Sequence, residues 1–295
     1  MTATAHPVPS LGSLARRPAL ALPVAVAALA FVILFQKPAQ LLAHDWWTNP
    51  EAGHGLLLAP LALWLAWRRG LLPNRKAQPV WGTIGLCAAV LLRYLSGLAA
   101  ELFTMRVSML LALGALVVFL WGWRQLRHWW LPVALLFLSI PWPTLVTNAL
   151  ALPLQFQASR MGAALLRWRE IPVALSGNVI NLPGHRLFVT EACSGLRSLT
   201  ALLALGVLAG GLWLRTPVAR LLLIILALPV AILVNAVRVF FTGFLVFFVD
   251  PKLGDGFMHL TEGWLLFIVA FAILGAITWG ARAIERRLSR RPADA

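Results

Sequence analysis

Long apolar runs broken by short, basic, proline- or glycine-bearing segments set the pattern of this chain. Runs at about 19–35, 52–67, 80–100, 107–123, 129–149, 196–214, 221–248 and 263–281 approach or exceed the roughly 20 residues a helix needs to cross a bilayer core. They predict an all-α polytopic membrane protein with eight transmembrane helices, a single membrane-embedded domain over residues 1–295. The second run is short, and the fifth carries Pro132, Pro141 and Pro143, which a membrane helix tolerates where its neighbours re-satisfy the backbone. The first run follows Arg16 and Arg17 and is longer than the usual signal-peptide core, so it reads as a retained helix.

One break is long, from 144 to 192. Its first half, Leu145 to Glu170, mixes Phe156, Met161 and Trp168 with Gln155, Gln157, Arg160, Arg167 and Arg169, as an amphipathic helix lying in the membrane interface does. Its second half places turn signals at Ser176-Gly177-Asn178 and Pro183-Gly184-His185 between short runs containing Val173, Val179, Ile180, Leu187 and Val189. These predict a small β-hairpin. A strand edge can hold an extended peptide as one more strand, although an ordinary loop is the simpler role for the same residues.

Composition removes whole classes of function. The hydrophobic set makes up 60% of the 295 residues and charged residues only 12%, about half the share in a soluble domain, which excludes a soluble globular enzyme. Two cysteines, Cys87 and Cys193, cannot form a disulfide framework, and the predicted spans put them at depths too different to bridge. Cys87 reads as a packing residue. The net charge of +15 sits in clusters between apolar runs rather than in one nucleic-acid-binding stripe. With the N-terminus inside, fifteen Lys and Arg fall on the inner side and nine on the outer, while the acids divide two inside and eight outside. The excess of basic residues puts both termini in the cytoplasm and the 144–192 segment outside.

Three ionisable groups then reach one depth. Arg238 lies 17 residues beyond Leu221 on an outward-going span, about 25 Å across a core of about 30 Å. Cys193 immediately precedes the inward-going sixth span, and His259 precedes the eighth. A thiol at a helix N-terminus beside cations, here Arg197 and Arg238, is favoured as thiolate and becomes a nucleophile. An imidazole titrates near neutrality and can carry the proton, with Glu262 one turn on to orient it. Arg238 keeps its proton and suits the stabilisation of an oxyanion, with Asn235 one turn deeper to position it. Taken singly, each has a plainer role: a snorkelling arginine, a packing cysteine, an interfacial histidine.

The run Glu191-Ala192-Cys193-Ser194-Gly195-Leu196-Arg197-Ser198-Leu199 resembles the cysteine motif of exosortases and archaeosortases. Asn235-Ala236-Val237-Arg238-Val239 resembles that family's arginine motif, and His259 with Glu262-Gly263-Trp264 its histidine motif, in the family's order. His54-Gly55, Pro60 and Trp67-Arg68-Arg69 are similar to its early motif, so the resemblance spans nearly the whole chain. It implies a membrane-embedded cysteine protease or transpeptidase in the bacterial inner membrane, with its site facing the periplasm. Its substrates would be exported proteins with a C-terminal tail made of a Pro-Glu-Pro-like motif, a hydrophobic helix and a basic end, in envelopes that make exopolysaccharide. Carried over residue by residue, Cys193 is the thioester-forming nucleophile, with Arg238 and His259 as its partners. Which of these two donates the proton stays open, because similarity to sortases favours Arg238 and pKa favours His259.

The remaining groups have plainer readings. His54 is a candidate substrate-binding residue, or simply an interfacial histidine. His44, His185 and the outer acids show no metal-ligand spacing, and no cofactor is implied. The tryptophans, Trp46, Trp47, Trp129 and Trp130 among them, suit an interfacial belt. A rival reading is a transporter or channel with Arg238 and Asn235 along an anion path, which would leave Cys193 dispensable and calls for paired half-repeats that are not found. Lipid-linked sugar transfer would call for a carboxylate pair, and none stands out.

Overall fold

The computed structural model describes residues 18–189, 195–250 and 257–290, with side chains for 28–189, 195–250 and 265–288. Glu191 and Cys193 lie outside the described residues, and of His259 and Glu262 only the helical backbone is described. The chain packs as two compact units, Met1–Asn49 with Gly55–Pro141, and Pro50–His54 with Trp142–Ala295.

The first unit holds α1 (Pro18–Thr48), α2 (Gly55–Arg69), α3 (Pro79–Leu98), α4 (Leu102–Trp121), α5 (Trp123–His128) and α6 (Trp130–Leu138). Helices α3 and α4 form a tight hairpin, because Gly82 and Gly85 let α3 lie against Phe119 and Ala115. Glu101 starts α4 as its N-cap, its carboxylate accepting from the amides of Phe103 at 3.1 Å and Thr104 at 2.6 Å and from the Thr104 hydroxyl. Burial pushes this carboxyl up, but the hydrogen bonds and the nearby Arg106 outweigh it and hold it below the ordinary glutamate range. Arg106 is 3% exposed and donates to Asp45 at 2.7 Å.

The run expected as one span over 129–149 is divided. Helix α6 ends at Leu138, and the next helix begins at Thr144. Pro141 and Pro143 supply no amide hydrogen and push the residues before them towards extended backbone, which stops the helix between them. Two tryptophans are tied into the fold: the Trp46 indole donates to the Ser139 carbonyl at 2.7 Å and that of Trp129 to the Gly70 carbonyl at 3.1 Å. Trp47, 81% exposed, has the exposure a belt residue needs. Cys87, expected to pack, is instead exposed on α3, since its position falls on the outward face of the α3–α4 hairpin.

The second unit holds α7 (Thr144–Trp168), β1 (Ala174–Ser176), β2 (Val179–Leu182), β3 (His185–Phe188), α8 (Leu196–Trp213), α9 (Pro217–Phe248) and α10 (Phe257–Arg290). The helix expected over Leu145 to Glu170 is α7. The expected hairpin gains a strand and becomes a three-stranded antiparallel sheet of order β1-β2-β3. Both its turns are two residues long, with Gly177 at φ +62° and Gly184 at φ +79° supplying the left-handed backbone they need. Ile180, Leu182 and Val189 bury one face of the sheet in a core with Ala163 and Leu166 of α7 and Val239 of α9. A second core joins Leu199 and Leu202 of α8, Leu223 and Ala227 of α9, and Ala270 and Leu274 of α10.

Among the described residues, α3, α4, α8, α9 and residues 265–288 of α10 are long and apolar enough to cross a membrane. Large apolar side chains such as Leu91 on α3 and Leu265 and Ile268 on α10 are exposed. This is a multi-pass membrane protein.

Candidate active site

The second unit gathers the described part of the site around the C-terminal half of α9. Asn235 is 5% exposed, Arg238 one turn on is half-buried, and the Thr242 hydroxyl returns to the Arg238 carbonyl at 3.0 Å. Two small residues seat α9 on α7. A Cβ on Gly162 would collide with Val239, and one on Gly243 would come within 2.8 Å of Leu166 Cδ1. Val239, between Asn235 and Gly243, is thereby held with Arg238 beside it.

Two further elements converge on the same stretch of α9. Gly195, the residue before α8, has φ +79°, and a Cβ there would lie 2.8 Å from Asn235 Cγ and 3.0 Å from its Nδ2. The glycine of the cysteine motif thus rests directly on the asparagine of the arginine motif. Its carbonyl accepts the first α8 hydrogen bond, from Leu199 at 2.8 Å. At the other approach, Leu187, Phe188 and Val189 at the end of β3 line a small crevice with Arg238, Val239 and Thr242. Val189 is pinned by the Asn178 backbone, its amide donating to the Asn178 carbonyl at 3.0 Å, and its carbonyl accepts from Asn178 Nδ2 at 3.1 Å. The chain is therefore anchored beside α9 on both sides of Cys193 in sequence, at Val189 and at Gly195.

Charge is concentrated here as well. Arg197, on the first turn of α8, lies within electrostatic reach of both Arg238 and Glu51. Glu51 and His54 belong to the Pro50–His54 turn, which packs with this unit, and both are half-buried around the fully buried Ala52. Sequence reasoning treated Glu51 only as one of several outer acids. The missed signal was its position three residues before His54, which makes the early motif a second supplier of polar groups to this end of the unit.

Helix α10 begins at Phe257, so His259 lies in its first turn and Glu262 one turn later. Among the described residues, no three His, Cys, Asp or Glu side chains gather closely enough to hold a metal ion. A cavity of about 930 Å³ lies elsewhere: it opens between the end of α8, the start of α9 and the last turns of α10, lined by Leu212, Leu222, Leu226 and Ile277. Leu226, its nearest α9 residue to the site, is 12 residues from Arg238, roughly 18 Å along the helix. The chemistry-bearing groups do not line it.

A family model described as transmembrane exosortase matches residues 46–276. The chain belongs to the exosortase family. No curated protein and no solved structure matches it. The matched span starts before the Pro50–His54 turn and ends beyond His259, so it contains the early, cysteine, arginine and histidine motifs. Membership makes this exosortase, at the family level, a membrane protein-sorting transpeptidase whose substrates are exported proteins bearing a C-terminal sorting signal.

Proposed function

We propose that this exosortase cleaves the sorting tail with Cys193 as nucleophile and passes the acyl group to an acceptor amine or to water. The observation that carries this reading is the seating of Gly195 on Asn235. Cys193 precedes Gly195 by two residues, so covalent geometry alone keeps its Cα within about 7.6 Å of that of Gly195. Arg238 is one helical turn from Asn235.

In the first step the Cys193 thiolate attacks the carbonyl carbon of the scissile peptide bond. The carbonyl oxygen takes up negative charge, and the fixed guanidinium of Arg238 stabilises it. Arg197 adds a second positive charge that favours thiolate over thiol, while Glu51 moderates the repulsion between the two arginines. The protonated imidazole of His259, oriented by Glu262, gives its proton to the departing amine. The carbon–nitrogen bond breaks, the tail leaves with its hydrophobic helix, and a thioester remains on Cys193. An acceptor amine or water then attacks the thioester, losing a proton to His259 and releasing the thiolate. Asn235 fixes the Arg238 turn against the start of α8, Glu191 completes the approach to the nucleophile, and His54 contacts the incoming chain.

The proposed site faces the periplasmic side of the bacterial inner membrane, a placement supported by the excess of Lys and Arg in the segments expected to be cytoplasmic. The substrates are exported proteins with a short Pro-Glu-Pro-like motif, a hydrophobic helix and a basic end. The test is tail processing by Cys193→Ala in membranes. The variant should insert normally and leave the tail attached; normal tail removal by the inserted variant would overturn the assignment.

A further inference from the structure

We infer that the free edge of β3 receives the extended segment of the exported protein just before the scissile bond, pairing with it as a fourth strand. This rests on the tail-cleaving function proposed above and adds how the substrate is held.

The hydrogen-bond phase of the sheet identifies the free groups. Val189 and Asn178 form a hydrogen-bonded pair, and the register sets Phe188 opposite Val179, Leu187 opposite Ile180 and Arg186 opposite Asn181. Antiparallel ladders alternate, so Leu187 points its amide and carbonyl towards β2, whereas Arg186 and Phe188 point theirs away. Among the described residues, neither Arg186 nor Phe188 makes a further backbone hydrogen bond. Edge strands are usually blunted by brevity and charge, and Arg186 fits that pattern. Phe188 does not. It is 58% exposed on the open face, where a protective residue would be polar.

Position distinguishes β3 from the opposite edge. Strand β1 runs the same way as β3 but lies two strands across the sheet from it, whereas β3 runs into Val189, which shares a crevice with Arg238, and Cys193 follows four residues later in the chain. A peptide paired parallel to β3 therefore has its next residues delivered towards Arg238. Arg186 and Arg238 along this track match an acidic residue in the bound segment, and Phe188 offers it an apolar contact. Backbone pairing gives affinity that depends little on sequence, and side chains on alternate residues give specificity.

The probe is a synthetic peptide of about a dozen residues covering the junction just before the hydrophobic span of an exported protein with such a tail from the same genome. Binding is measured on the full-length Cys193→Ala protein in nanodiscs, with each peptide amide N-methylated in turn. Strand pairing predicts period-two behaviour: methylation at alternate residues weakens binding about five- to tenfold, and methylation between them changes it less than twofold. On the protein side, Phe188→Pro removes the outward amide and should weaken binding about as much, with Phe188→Ala retaining most of it. A uniform response to methylation would overturn the inference, as would a change of oligomeric state in Phe188→Pro with peptide affinity intact, which would make the edge a contact between copies. Because the Cys193→Ala protein is used, the two claims separate. Period-two binding combined with tail removal that survives Cys193→Ala would sink the catalytic assignment alone, and uniform binding with Cys193-dependent cleavage would sink strand addition alone.

Discussion

Replacing Gly195 with alanine tests the junction between the cysteine and arginine motifs. Two costs arise at once. The residue sits at φ +79°, where a Cβ costs about 1–2 kcal/mol, and the new methyl would lie 2.8 Å from Asn235 Cγ and 3.0 Å from its Cβ. Those atoms are close to the α9 backbone, and Asn235 is 5% exposed, so the side chain has little room to withdraw. Overpacking of this kind costs about 1–3 kcal/mol. The sum, about 2–5 kcal/mol, is enough to separate α8 from α9 locally and to cut tail processing by about a hundredfold or more. Thermal unfolding in detergent and tail cleavage in membranes measure the two effects. The cycle with Asn235→Gly isolates the steric part: the second substitution should recover about 1–3 kcal/mol of the stability lost by Gly195→Ala and leave the backbone penalty in place. Wild-type stability in Gly195→Ala, or a purely additive cycle, would refute the close seating of α8 on Asn235.

Three further outcomes follow from the fold. Glu285 of α10 accepts from the Arg215 amide at 3.0 Å, the Thr216 amide at 2.9 Å and the Thr216 hydroxyl at 2.6 Å, capping α9 from a neighbouring helix. This carboxylate is exposed, so Glu285→Ala should cost only about 0.5–1 kcal/mol and lower the melting temperature by a few degrees without changing cleavage. Asp45→Ala removes the carboxylate partner from a guanidinium that is 3% exposed and should destabilise the first unit by about 3 kcal/mol, read as a loss of folded protein on heating. Glu101 has a depressed pKa in the folded state, so its contribution to stability is complete above the unfolded-state value and disappears as pH falls through the lower folded-state value. Melting temperature against pH should therefore decline less steeply in acid for Glu101→Gln than for the wild type.

Much of this architecture is legible in the apolar pattern, because a membrane helix must satisfy its backbone internally and must present a continuous apolar surface. Helix α7 and the strands with their glycine turns follow from residue periodicity and from Gly177 and Gly184. What the pattern obscured has physical causes. Pro141 and Pro143 interrupt a run whose hydropathy alone looks continuous, and hydropathy carries no information about a missing amide. The extra strand β1 is only three residues long, too short for an alternation to be recognised. At the site, Arg238 and Asn235 are legible as costly polar groups in an apolar helix, whereas the role of Gly195 is not. A glycine beside a helix start signals backbone freedom; that the freedom serves contact with Asn235 depends on a residue 40 positions away. Glu51 was hidden for the same reason, since its tie to Arg197 joins distant parts of the chain.

The most direct test of the account is intact-mass analysis of the protein stalled with a tail-bearing substrate in the absence of added acceptor. The account predicts an adduct equal to the substrate without its tail, mapped to Cys193, released by hydroxylamine and absent from Cys193→Ser. Rapid, complete tail removal with no adduct at any acceptor concentration, and with the same rate in Cys193→Ala, would contradict it.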